Sequence, residues 1–173
     1  TTPPTGTRGG EGGRGGRGLL RLGLYVGAFV GSAVALNGWI FSGGAIAWSS
    51  TLRNPPWSPP GPVTGAIWVT LFALMAGALF VVERNGRGPA RNPARGGILV
   101  LWLVNMTWTW AYFGLRNVPN GFYVTVIAWV ICVPVLGLAW RATRLGGALL
   151  MPLLGWLTFA LALSWTTWQL NPT

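Results

Sequence analysis

The sequence predicts an all-α membrane protein, a bundle of five transmembrane helices with the N-terminus in the cytoplasm. Three observations predict it. Five apolar runs of about 20 residues, each enough to cross a ~30 Å hydrocarbon core as a helix, follow one another between short polar breaks. Charged residues make up 8% of the 173 residues, against roughly 25% in a soluble domain. The cations are all arginine and fall unevenly: Arg8, Arg14, Arg17, Arg21, Arg84, Arg87, Arg91, Arg95, Arg141 and Arg144 lie on the N-terminal side of the five spans, and only Arg53 and Arg116 on the other. Cytoplasmic loops carry the excess of Arg, which sets the orientation.

Residues 1–21 read as a Gly/Arg-rich cytoplasmic tail, expected to be disordered because it lacks the apolar content to fold. Its Arg-Gly-Gly repeats are of a kind that binds single strands elsewhere. Contact with anionic lipid headgroups accounts for them better, and no nucleic-acid partner is expected. The membrane domain then occupies residues 22–172. Span one, about 22–41, carries Gly23, Gly27 and Gly31 on one face, continued by Ala35. Such a stripe lets another backbone approach closely, either inside the bundle or between two protomers, so a homodimer or a larger membrane complex through these glycines is expected.

Between spans one and two lies a proline-rich connector, Trp48-Ser49-Ser50-Thr51-Leu52-Arg53-Asn54-Pro55-Pro56-Trp57-Ser58-Pro59-Pro60-Gly61-Pro62. Each proline fixes its own φ and restricts the residue before it. A stiff loop bearing two indoles suits a lid over an opening between helices, or simply a rigid turn. Span two is placed at about 63–82 and span three at about 97–115, separated by the charged break from Glu83 to Arg95. Span four is expected at 122–140 after Arg116-Asn117-Val118-Pro119, and span five at 145–168 after Arg141 to Arg144. Pro134 and Pro152 interrupt the last two and predict kinks or freed carbonyls there.

Composition excludes most chemistry. There is no His and only two carboxylates, Glu11 and Glu83, both outside the apolar runs. That removes His-based triads, zinc hydrolases and an intramembrane proton relay. A single cysteine, Cys132, forms no internal disulfide, and as a thiol in apolar surroundings it is expected to be inert. No metal site is expected.

The twelve tryptophans point elsewhere. Trp39, Trp48, Trp57, Trp140, Trp165 and Trp168 fall near span ends, where indoles collect at the membrane interface. Trp68, Trp108, Trp129 and Trp156 lie inside their spans, where an indole needs a partner for its N–H or a ligand face to stack on. Asn105 adds a polar amide within span three, to bond a neighbouring helix or to orient a ligand.

These residues carry a resemblance. Trp48, Leu52, Pro55-Pro56-Trp57-Ser58-Pro59-Pro60 is similar to the Trp-Tyr-x-x-Leu-x-Lys-Pro-x-Trp-x-Pro-Pro signature of the translocator protein family, also called the tryptophan-rich sensory proteins or peripheral-type benzodiazepine receptors. Trp68-Val69-Thr70-Leu71-Phe72-Ala73-Leu74-Met75-Ala76-Gly77, Asn105-Met106-Thr107-Trp108, Tyr112-Phe113-Gly114-Leu115-Arg116 and the segment from Leu149-Leu150-Met151-Pro152 through Trp156 to Trp168-Gln169-Leu170-Asn171 resemble further family motifs, in order, over about residues 20 to 172. Ser49 and Asn54 depart from the signature Tyr and Lys, Leu153 from a Tyr and Ser164 from an Asn.

The resemblance implies a five-helix bundle, commonly dimeric, with a pocket under the first long loop that takes tetrapyrroles such as protoporphyrin IX or haem. By position, Trp68 and Trp156 match pocket tryptophans linked to porphyrin binding and to its light-dependent oxidation. They are the only catalytic candidates, should that oxidation occur. Trp48, Trp57, Asn105 and Trp108 match or adjoin other ligand-binding positions. No cofactor is required beyond the tetrapyrrole ligand. Sterol is not expected, because Trp165-Thr166-Thr167-Trp168-Gln169 lacks the Tyr and the final Lys or Arg of the sterol pattern. The alternative is an accessory subunit of a pigment–protein complex. The expected location is a bacterial membrane, the inner one given the all-helical spans.

Overall fold

The computed structural model describes residues 11–172, and among them every regular element is helical. α1 (Glu11–Ile40) runs through a kink, Phe41–Ala45, into α2 (Ile46–Ser49). Residues 50–60 connect to α3 (Gly61–Asn85) without helix. α4 (Arg91–Thr109) continues through a π turn, Trp110–Gly114, and α5 (Val118–Ala142) and α6 (Arg144–Leu170) close the chain.

The five expected spans are therefore all helices; α4 begins at Arg91 rather than Gly97 and α5 at Val118 rather than Phe122, and the largest differences are at the two ends of span one. α1 starts at Glu11, so residues 11–21, expected to belong to an unstructured tail, are helical; residues 1–10 lie outside the described residues. The extra turns rest on α3 through a contact the sequence hides, an ion pair of Arg21 with Glu83 at 3.8 Å. At the other end of span one the helix does not stop at Phe41 but bends. Gly44 adopts φ 83°, a left-handed conformation open to glycine, and the chain turns there into α2.

Segments 16–49, 61–85, 118–142 and 144–170 are each long and apolar enough to cross a membrane. α4 falls short on its own. Its 19 residues are long enough, but Arg91, Asn92, Arg95 and Asn105 dilute their apolar character. α5 and α6 continue as helices through Pro134 and Pro152, each of which lacks the N–H that would bond a carbonyl one turn earlier. Both prolines are exposed, on the outer face of the bundle.

Local chemistry sets the helix starts. Pro62 occupies the first turn of α3, where its absent N–H costs nothing. Asn117 caps α5 by accepting from the Asn120 N–H at 2.9 Å. In the bundle α6 packs on α5 and α3, α5 packs on α4, and α1 lies on α3 with a smaller contact to α4. The shared core is built from Met75, Val82, Ile98, Leu101, Cys132, Leu150 and Leu157, with alanines between them. Outward faces are apolar as well: Leu19, Leu24, Val34, Trp39, Val130 and Leu145 are all exposed. On a soluble monomer so much exposed hydrocarbon would be a liability; on a bundle in lipid it is the solvent-facing surface.

Candidate functional site

The six residues singled out in the sequence lie at or toward the end of the bundle that carries the proline-rich connector, and five of them enter ring clusters. One cluster joins the connector, α3 and α6. Trp57 meets Phe159 edge-on at 5.7 Å, Phe159 lies 5.2 Å from Trp156, Trp156 meets Trp68 edge-on at 6.3 Å, and Trp68 stacks on Phe72 at 5.6 Å. The second cluster joins α2 to α4. Trp108 stacks nearly parallel on Tyr112 at 4.9 Å, Trp48 meets Tyr112 edge-on at 5.4 Å, and Phe113 touches Trp48, Trp108 and Phe41. The structure thus divides the expected tryptophans into Trp57, Trp68 and Trp156 on one side and Trp48 and Trp108 on the other.

The two clusters differ in how their indole N–H groups are met. Trp108 Nε1 donates to the Gly121 carbonyl and to Thr125 Oγ1, both at 3.0 Å, and so ties α4 to α5. Gly121 is required for this: a Cβ there would collide with the Tyr112 ring. Trp129 Nε1 likewise donates to Thr158 Oγ1 at 3.0 Å, so this interior indole links α5 to α6. Trp156 Nε1, by contrast, is buried and has no partner. An unpaired buried donor costs about 1–3 kcal/mol, so this N–H is the polar group that an incoming acceptor would satisfy. Asn105 is buried and donates to the Leu101 carbonyl of its own helix at 2.7 Å. It joins neither a second helix nor a ring cluster.

The connector is fastened rather than free. Arg53 N–H donates to Asn171 Oδ1 and Asn171 Nδ2 donates to the Arg53 carbonyl, each at 2.9 Å, and a turn closes between Ser58 N–H and the Pro55 carbonyl. Trp57 remains exposed at its outer edge. Across the bundle end, Arg116 Nη2 donates to the Gly43 carbonyl at 3.0 Å and holds the bend after α1. The rings of the first cluster touch one another, so room for a flat molecule there requires Trp57 and Phe159 to part from Trp68 and Trp156.

Reading the sequence alone missed several participants. Phe72 and Phe159 complete the first cluster and Tyr112 and Phe113 the second; their aromatic character within spans was the available signal. Trp102 was not singled out either, yet it stacks on Phe29 at 4.9 Å, with a buried and unpartnered Nε1.

With this geometry in view, comparison with known proteins is decisive. The TspO/MBR family profile matches residues 25–169. The chain belongs to the TspO/MBR family. It is similar to protein CrtK of Rhodobacter capsulatus, with 34% identity over 158 residues, covering 88% of this chain and 96% of that one. The tryptophan-rich protein TspO of Chlorobaculum tepidum is 30% identical over 158 residues, covering 89% and 98% of the two chains. The translocator protein of Ovis aries is 28% identical over 132 residues, covering 75% and 78%. As a TspO/MBR protein with four helices apolar enough to span, the chain is a multi-pass integral membrane protein of the sensory or translocator kind. The matched stretch contains both ring clusters, while the Arg-rich residues before position 25 lie outside it.

Proposed function

We propose that this protein is a membrane receptor for a flat, conjugated tetrapyrrole, bound against Trp68 and Trp156 beneath the connector between α2 and α3. The observation that carries the reading is the buried, unpartnered Trp156 N–H within an aromatic wall. Each indole stacked on the macrocycle adds about 0.5–1.5 kcal/mol beyond area burial, and a ligand oxygen or nitrogen accepting from Trp156 relieves its desolvation. Trp57 covers the site from the connector and Arg53 at the rim meets a propionate, while Trp48 and Trp108 stand in the separate α2–α4 cluster and Asn105 outside both. The arginine asymmetry supports a cytoplasmic N-terminus, and together with the all-helical spans it supports a bacterial inner membrane. Light-dependent oxidation of the bound porphyrin is compatible with this site, because the indoles supply proximity rather than acid–base groups.

The test is titration of the full chain in micelles with protoporphyrin IX, read by tryptophan quenching. Binding at about micromolar affinity that weakens by about tenfold or more in Trp68→Phe/Trp156→Phe supports the site. Unchanged affinity in that double variant overturns it. Illumination with and without oxygen then separates oxidation from passive binding: decay of the bound Soret band no faster than that of free porphyrin dismisses catalysis.

A second reading, an accessory subunit of a larger pigment–protein assembly, draws on α1. Gly23, Gly27 and Gly31 are exposed, and a Cβ built at any of them would meet open space. The stripe is therefore not consumed inside the bundle, which favours contact with another chain. Purification in mild detergent distinguishes the two, since a pocket receptor alone elutes as monomer or dimer.

A further inference from the structure

At the arginine-rich end of the bundle a cleft of about 340 Å³ opens between the α3–α4 turn and the end of α5. Arg87 and Arg141 stand in its lining, and Ala90, Pro93 and Leu138 give it an apolar floor. We infer that this cleft binds the phosphodiester headgroup of one anionic phospholipid, the two guanidiniums holding the phosphate and the apolar floor taking the glycerol and upper acyl chain.

Four features favour this over a diffuse basic surface. First, the cleft is braced: Arg87 N–H donates to the Ala142 carbonyl at 3.1 Å, which fixes the turn to α5. The turn pivots on Gly88 at φ 71°, where nothing lies within 4 Å of a built Cβ. Second, both guanidiniums are unspent. Among the described residues neither side chain makes a hydrogen bond or ion pair, and the carboxylate of Glu83 is already engaged by Arg95 and Arg21. Third, the neighbouring cleft of about 260 Å³ contains Arg17, Arg21 and Arg84 but also Glu83, whose charge opposes an anion, so only the first cleft is purely cationic. Fourth, Trp140 stands beside Arg141, 44% exposed. An exposed indole at a helix end marks headgroup depth, which places the guanidiniums level with lipid phosphates. A soluble phosphate would make no use of the apolar floor; a lipid uses both parts. Arginine suits the task because its planar fork donates two parallel hydrogen bonds to one phosphate.

The test is native mass spectrometry of the full chain released from micelles holding equal amounts of phosphatidylcholine and phosphatidylglycerol with identical acyl chains. The wild type should retain one phosphatidylglycerol in preference. Arg87→Gln/Arg141→Gln should lower that preference on the order of tenfold, while Arg84→Gln/Arg144→Gln, which removes the same charge outside the cleft, should change it by less than about twofold. Circular dichroism confirms that both variants keep their helices. Equal loss in the two variants, no preference in the wild type, or displacement of the lipid by excess inorganic phosphate each overturns the proposal.

Discussion

The two ends of the bundle hold their helices by different means. At the connector end, contact is made by aromatic rings across α2, α3, α4 and α6, with few polar bonds among them. At the arginine end, one carboxylate gathers three helices: Glu83 on α3 accepts from the Tyr25 hydroxyl of α1, pairs with Arg95 of α4 at 2.7 Å and lies 3.8 Å from Arg21, with its side chain only 12% exposed. Arg91 Nη2 adds a bond to the Glu83 carbonyl at 2.6 Å. Ring contacts slide and reform at modest cost, whereas a charge drawn out of water is expensive to leave unpaired. The comparison teaches where the bundle is held most firmly. The arginine end is a clasp, and the connector end, held by ring contacts, is where the proposed site lies.

The largest expected effect probes the limit of that plasticity. Gly121→Val sets a branched side chain against the Tyr112 ring, which has no room to retreat from Trp108 stacked upon it. A loss of about 3 kcal/mol is expected, read from thermal unfolding in detergent together with loss of the near-ultraviolet tryptophan signal. Unchanged unfolding would mean that the second ring cluster is as yielding as the first.

Next is the clasp. Glu83→Gln keeps the shape and can still accept from Tyr25, but it leaves Arg95 without its counter-charge. Because Arg95 and Arg21 are 42% and 66% exposed, water recovers part of the loss, and about 2 kcal/mol is expected. Protoporphyrin affinity should stay the same. A variant that keeps its stability but loses ligand would invert the assignment of the two ends. Thr125→Val ranks below it. Trp108 keeps the Gly121 carbonyl as acceptor, so about 1 kcal/mol or less is lost, with a shift in tryptophan emission as the second reading.

Much of this architecture is legible in the sequence, and what is not has physical reasons. The five helices follow from apolar runs, because a backbone in hydrocarbon has no partner but itself. α4 is legible in its apolar content from Gly97 onward, whereas its start, Arg91 to Gly96, reads as part of the charged break before it. The bend at Phe41–Ala45 was invisible because it rests on Gly44 at φ 83°, and a glycine within an apolar run does not by itself announce a left-handed turn. Glu83 read as a break between spans. Its role depends on Tyr25 and Arg95, which are brought to it by tertiary packing alone. The same holds for the ring clusters: Trp48 and Trp57 sit nine positions apart in one connector, and nothing in that spacing says that they turn to different helices.

The smallest effect on stability tests the yielding end most directly. Asn171 spans the connector and the end of α6 through the pair of bonds to Arg53 and a third from Nδ2 to the Thr167 carbonyl at 2.8 Å. The Arg53 bonds are exposed, so water replaces them and Asn171→Ala should cost only about 0.5 kcal/mol in unfolding. Its kinetic consequence is larger. The Arg53 amide loses its acceptor, the connector is released at one point, and Trp57 is freer to leave Phe159. Hydrogen exchange at Arg53 should then accelerate, and protoporphyrin should associate faster while its equilibrium affinity changes little, because the tie is broken in the free and the bound forms alike. If exchange accelerates but association does not, the ligand enters elsewhere than beneath this connector. If neither moves, the prolines alone hold the loop, and its stiffness belongs to the backbone rather than to the Asn171 tie.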